Sequence, residues 1–259
     1  MLDALPWRGP GPDRPPLPLP PERMPLLRGG RPLKAWRWAG AFGPDVMVVA
    51  AAVRVAGVPL AWWAIWDAPA GRLRRRFARG SGGVTVEAGR LAIAGRAELA
   101  LGDAAPIEVV SRHGDQYIWT RKRAGMDAGG HVLGRPVRLR AVLDESAGYH
   151  ARETAWTWSA GVGVLRGGEA VAWNLVDGVH DAPAASEQTV WVDGAPREVA
   201  APDFATLGFR EQAAVERRES LLVASSDYFQ AFGAFAGELS GAGALREGWG
   251  VMERHAVRW

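Results

Sequence analysis

The chain closes on EGWGVMERHAVRW, residues 247–259. Read as a strand, this stretch sends successive side chains to opposite faces. Trp249, Val251, Glu253, His255, Val257 and Trp259 then share one side. A one-residue shift would bury Met252 and Ala256 and leave bulky apolar groups in water, so the aromatic side is expected to face inward. It brings a carboxyl and an imidazole with it. Histidine titrates near neutral pH, which makes general acid–base work open to Glu253 and His255.

The same period applied to YHARETAWTWSAG groups His150, Arg152, Thr154, Trp156 and Trp158. In the strand that follows, Trp173 and Leu175 alternate with Asn174 and Val176. An Asp177-Gly178 turn leads into His180 and Asp181, and Glu187 and Trp191 precede a second Asp-Gly turn. The candidate proton-handling residues are Glu253, His255 and His150. The candidate ligand contacts are Arg152, Trp156, Trp158, Trp173, Asn174, His180, Asp181, Trp191 and Trp249. Asp181 is also chemically able to act as an acid or base.

Each of these has a plainer reading. Tryptophan at alternate strand positions buries a large area and needs one partner for its N–H, so core packing explains it. A buried charge is costly unless paired, and an Arg152–Glu253 ion pair would satisfy both groups. Ionisable side chains converging on tryptophan faces therefore mean an internal salt-bridge lock or a cavity with polar groups aimed at a ligand.

Other chemistries find little support. The chain has no cysteine, which removes disulfides, thiol nucleophiles and thiolate metal sites. Five histidines without HExxH or paired-ligand spacing give no metal site, and no cofactor is implied. GxSxG and GxxxxGK[ST] are missing, and Gly80-Ser81-Gly82-Gly83 reads as a turn. The net charge is only +3, and the run Arg72 to Arg76 has no interleaved aromatics, so it reads as a solvated hairpin and not a nucleic-acid surface. No secretory signal opens the chain, and a soluble, cytoplasmic protein is expected.

The elements that must position these residues are short strands. From Lys34 onward, apolar runs of four to ten residues are punctuated by Gly, Pro and Asp every 8 to 12 residues, the pattern of an all-β sandwich or barrel. Val46 to Trp66 has nearly membrane length, but Arg54 and Gly57-Val58-Pro59 divide it, predicting a hairpin that turns at Gly57 to Pro59. Residues 1–32 hold ten of the 18 prolines and should form an extended arm, docked through Trp7. One short helix is expected from Ser226 to Phe235. The FREQAAVERRESLLVASS segment fits helix or strand, Val215, Leu221 and Val223 suiting either. Each half opens on a Trp-x-Trp strand (Trp36-Arg37-Trp38 and Trp156-Thr157-Trp158), which suggests a duplication of about 120 residues.

The strings KAWRWAGAFGPDVMVVAA, TRKRAG, GYHARETAWTWSAG, WNLVDGVHD, SEQTVWVDG, FGAFAGELSG and GVMERHAVRW together resemble the bacterial family catalogued as domain of unknown function 2804, from about Trp7 to Trp259. In strand texture and in a Glu/His/Trp interior the chain is also similar to lipocalin-like proteins, which include carotenoid hydratases and tocopherol cyclases. The resemblance implies two tandem lipocalin-like barrels or half-barrels, at residues 33–148 and 149–259, after the arm. The expected partner is a small, largely apolar ligand, lipid- or isoprenoid-like, in a tryptophan-lined cavity. Three uses stay open: isomerisation, hydration or cyclisation by proton transfer; carriage without chemistry; or carbohydrate binding on surface tryptophan platforms. An integral membrane segment is not expected, and the sequence is silent on oligomeric state.

Overall fold

The computed structural model describes residues 2–9, 13–220 and 225–258. Trp259, Leu221 and Val223, which figure in the readings above, lie outside the described residues. Apart from a 3-10 turn at Leu2–Ala4, the described chain is all strand and turn.

The amino-terminal segment supplies β1 (Trp7–Gly9) and a ribbon of β2 (Leu27–Arg28) and β3 (Arg31–Pro32). Four longer strands follow: β4 (Lys34–Phe42), β5 (Val46–Val55), β6 (Val58–Asp67) and β7 (Arg72–Arg79). Next come β8 (Val84–Glu87), β9 (Arg90–Ile93), β10 (Ala97–Leu101) and β11 (Ile107–His113), then β12 (Gln116–Val132) and β13 (Arg135–Gly148). The second half contributes β14 (Glu153–Leu165), β15 (Ala170–Asp177), β16 (Thr189–Val192) and β17 (Ala195–Glu198). It ends with β18 (Leu207–Ser220), β19 (Ser225–Leu239) and β20 (Gly243–Arg258).

Two antiparallel sheets result. The first has 11 strands, in the order β7-β6-β5-β4-β13-β12-β10-β9-β8, with β11 paired onto β12 and β1 onto β11. It curls until β8 packs over β5. The second has seven, in the order β17-β16-β15-β14-β20-β19-β18. Three apolar layers follow from the two-residue alternation. Ala39, Val48, Trp63 and Ile65 fill the inside of the curled first sheet. Trp38, Met47, Val49, Trp158, Phe232 and Val251 pack between the sheets. Trp173, Val190, Leu207 and Phe235 cover the far face of the second. Neighbours Trp62 and Trp63 go to different layers for this reason.

The Val46–Trp66 stretch is a hairpin, as expected, but it turns earlier. Val55 pairs with Val58, leaving Ala56 and Gly57 as a two-residue loop with φ of 47° and 83°. Both positive values suit the primed hairpin turns, whose twist matches the strands. Pro59 lies within β6, opposite Arg54. The helix expected at Ser226–Phe235 is strand β19 instead, paired on both sides by β18 and β20. Aromatic residues suit a pleated surface between two long strands, and tertiary pairing overrides the local helical reading. The proline-rich arm is less irregular than expected. β1 adds to β11 with Trp7 opposite Val110, and Leu17, Leu19 and Met24 cover Tyr117 and Tyr149.

Candidate functional site

Between the sheets lies a cavity of about 550 Å³, within the usual range for small-molecule sites. Its first-sheet wall is Lys34, Trp36 and Trp38 from β4 with Trp62 from β6. Its second-sheet wall is Trp156 and Trp158 from β14 with Glu253 and His255 from β20. Register explains the second group. Trp156 stands opposite His255 and Trp158 opposite Glu253, so the four share a face. The two Trp-x-Trp strands meet here, Trp38 touching Trp158 edge-on with centroids 4.9 Å apart. Trp62 meets Tyr228 in the same manner at 5.5 Å.

Glu253 is buried and surrounded by neutral donors. Trp156 Nε1 donates to Oε1 at 2.9 Å, and Tyr228 Oη and Gln230 Nε2 donate to Oε2 at 3.0 and 2.7 Å. Among the described residues no cation lies within ion-pair distance of it. Burial pushes its pKa up, with those three hydrogen bonds pulling the other way. His255 packs its ring against Trp156 and Tyr228 at 4.5 and 5.2 Å, and Nε2 lies 2.9 Å from Ser226 Oγ. Burial pushes its pKa down to about 4.

His150 is held between Trp36 and His113, with centroids 5.5 and 5.6 Å away. It is 5% exposed, and neither ring nitrogen has a hydrogen-bond partner among the described residues. Burial, with Lys34 and three histidines adding to it, holds its pKa well below the ordinary value. His180, whose Nδ1 is 2.7 Å from Ser111 Oγ, is pushed down to about 3 by burial. Lys34 is pushed down to about 6 by burial and Arg31. Neutral imidazoles thus line one part of the cavity.

A second polar cluster was not among the sequence candidates. Lys122 Nζ lies 2.8 Å from Asp144 Oδ1 and 3.4 Å from Glu187 Oε1, all three side chains being less than a tenth exposed. Burial opposes the ammonium, but the two carboxylates outweigh it and hold the Lys122 pKa above its usual value. The available signal was the alternation of Lys122 with Ile118, Thr120 and Ala124, obscured by arginines on either side. Among the described residues no group of three His, Asp or Glu side chains is placed to hold a metal ion.

Several sequence candidates stand elsewhere. Arg152 is exposed, lies before β14 and makes no ion pair with Glu253. Arg258 pairs with Glu153 at 3.6 Å instead. Asp181 is exposed and accepts from the Gly178 amide at 2.8 Å, a turn contact. Trp173 is fully buried on the opposite face, its Nε1 donating to Ser159 Oγ at 2.9 Å. The cause is register: Trp158 pairs with Val176, so Asn174 and Val176, not Trp173, share its side. Asn174 sits behind the wall, accepting from Trp158 Nε1 at 2.8 Å and donating to the Glu187 carbonyl at 3.1 Å. Trp191 is fully buried, donating to the Ala105 carbonyl at 2.9 Å. Trp249 shares the Glu253 face but packs in the apolar layer beyond the cavity.

An all-β molecule with an aromatic, acid-bearing cavity between two antiparallel sheets is what fold and site together define. Residues 85–205 match the model of the family described as Domain of unknown function (DUF2804). That span is shorter than the Trp7–Trp259 resemblance read from the motifs, and takes in Lys122, Asp144, Trp156 and Trp158 but not Glu253 or His255. No curated protein matches the chain. Among solved structures, a protein assigned as AttH from Nitrosomonas europaea is 13% identical, with TM-score 0.44 over 91% of this chain and 97% of that one. Kievitone hydratase from Nectria haematococca is 7% identical, with TM-score 0.39 over 85% and 88%. CghA is 12% identical, with TM-score 0.28 over 87% and 88%. Likeness this distant does not speak for an activity.

Proposed function

We propose that the protein binds a small, largely apolar, unsaturated ligand between its sheets and acts on it by proton transfer. The observation that carries this reading is the contrast between Glu253 and His255 on one strand face. Glu253 has its pKa raised by burial, with no cation at ion-pair distance among the described residues, and His255 has its pKa lowered to about 4. A carboxyl whose charged form burial opposes is suited to give a proton to a ligand, and the imidazole kept neutral beside it to take one. The two are about 7 Å apart along the strand, room for a ligand double bond between them.

In this mechanism the Glu253 carboxyl gives its proton to one carbon of the double bond. The faces of Trp156, Trp158 and Trp38 stabilise the cation left on the other carbon. His255 then removes a proton from the neighbouring carbon, giving an isomerised product, or from a water that attacks the cation, giving a hydrated one. Return of the proton from His255 to Glu253 through solvent restores the site. His255 is the acceptor here and not the donor, because its lowered pKa leaves it uncharged at neutral pH. Surface platforms for sugars are disfavoured, since among the described residues no tryptophan is exposed.

Binding and chemistry separate in one experiment. The protein purified from its host is examined by native mass spectrometry for a retained ligand, and that ligand is returned in deuterated water. A ligand that leaves carrying deuterium at carbon supports proton transfer. One that returns unlabelled makes the protein a carrier. Failure to bind either a host ligand or the neutral probe N-phenyl-1-naphthylamine would refute the cavity reading.

A further inference from the structure

Among the described residues four large apolar side chains are exposed: Leu26 (49%), Leu27 (63%), Val58 (60%) and Leu60 (38%). They lie in one region. Leu26 comes within 3.8 Å of the position a Cβ would take at Gly57, in the β5–β6 turn. The Leu33 amide donates to the Leu26 carbonyl and the Ala56 amide to the Leu33 carbonyl, both at 2.8 Å, which ties the arm ribbon to that turn.

The patch also continues into the cavity. Val58, Leu60 and Trp62 alternate along β6 on the cavity side, facing Val55, Val53 and Ala51 of β5. Val55, Val53, Leu60 and Trp62 all line the cavity. The row runs from exposed Val58 through Leu60 at the mouth to half-buried Trp62, an apolar track from solvent inward.

Charge flanks it. Leu60 pairs with Arg79 of β7, an edge strand of the first sheet. Arg54 stands opposite Pro59 on the hairpin itself. Arg54 and Arg79, the two arginines that pair beside the tip, make no ion pair among the described residues, while Arg72 to Arg76 lie further along β7, opposite Trp63 to Asp67. A projecting apolar tip backed by unneutralised arginines is complementary to an anionic bilayer surface, where apolar side chains enter the acyl boundary and cations meet headgroups. A protein partner of unknown sequence is not called for by this combination.

We propose that the β5–β6 hairpin tip, with Leu26 and Leu27, docks on an anionic lipid surface, with Arg54 and Arg79 against the headgroups and the cavity mouth at the membrane. Docking stands on the exposed patch and the arginines beside it, and does not depend on the cavity. Passage of a ligand along the Val58–Leu60–Trp62 track rests additionally on the cavity reading above.

The test is flotation of the full chain with vesicles of phosphatidylcholine, of phosphatidylglycerol and of an equal mixture. Binding is expected to the two that contain phosphatidylglycerol and to weaken as salt is raised. Leu27→Glu with Val58→Glu, at positions already in water, should retain the melting temperature and lose binding about tenfold or more. Arg54→Glu with Arg79→Glu should do the same. Failure to float with phosphatidylglycerol, or equal flotation of wild type and both variants, would overturn docking. So would a concentration-dependent dimer abolished by Val58→Glu, which assigns the patch to a second copy. Docking that persists while N-phenyl-1-naphthylamine fails to bind would sink the cavity reading and leave the surface proposal intact.

Discussion

Lys122 and Asp144 face each other across paired strands β12 and β13, with 2.8 Å between Nζ and Oδ1. Glu253, on the opposite wall of the same cavity, has three neutral donors instead. The ammonium is already committed to Asp144 and Glu187, so it does not hold the Glu253 carboxyl ionised. The fold separates carboxyls that share an ammonium from a carboxyl held by neutral donors.

Removing the ammonium should be expensive. Lys122→Met strands two buried carboxyls and is expected to cost about 3–5 kcal/mol. Chemical denaturation reads this directly. A loss below about 1 kcal/mol would mean that the cluster is wetter than its burial indicates.

Glu253→Gln should separate function from stability. It keeps the shape of the side chain and removes a charge whose burial is costly, so stability should stay within about 1 kcal/mol of wild type. Deuterium transfer to the ligand should vanish while binding of N-phenyl-1-naphthylamine persists. A melting temperature that collapses on this change would make Glu253 a structural lock.

Acid should unfold the protein early. His150 is held well below 6.5, His180 at about 3 and His255 at about 4 in the folded chain. Unfolding returns all three towards 6.5, so between pH 4 and 6.5 the unfolded chain binds protons that the folded chain excludes. The stability conferred by neutral imidazoles is therefore full above pH 6.5 and lost as pH falls. Each histidine contributes a slope of up to about 1.4 kcal/mol per pH unit. Glu253 and Asp144, both raised, work in the other direction, but three imidazoles outweigh two carboxyls. Melting temperature should drop steadily below pH 6.5, and His150→Phe, which removes no hydrogen bond present among the described residues, should flatten the profile. A flat wild-type profile would contradict the burial of these rings.

Trp191 should behave as core. Trp191→Phe leaves the Ala105 carbonyl without its donor and is expected to cost about 1–3 kcal/mol, with probe affinity unchanged. Trp158→Phe, at the cavity wall, should alter both. Titration of the probe on matched folded samples separates the two positions.

Within a single strand the sequence was readable. Alternation alone placed Glu253 and His255 beside Trp-bearing neighbours, because Trp249, Val251 and Val257 leave no other inward face. Between strands it was not. Whether Trp173 or Asn174 joins Trp158 depends on which residue stands opposite, and that is fixed by pairing with Val176, a relation no single strand displays. Lys122 and Asp144 were hidden for a related reason. Each lies in a charged run (RKR and DES) whose outward and inward members look alike until a second sheet covers one face. The helix expected over Ser226–Phe235 failed where β18 and β20 supply hydrogen-bond partners on both sides.

Each sheet carries an apolar layer on the face turned away from the cavity, around Trp63 and Ile65 in one and around Trp173 and Phe235 in the other. Trp36, Trp62 and Tyr228, which line the gap, are not part of either backing layer. Substitutions at Trp36, Trp62 or Tyr228 can reshape the lining while both backing layers stay whole. Under the proposed function, such an arrangement would let ligand preference be changed at the lining without rebuilding either backing layer.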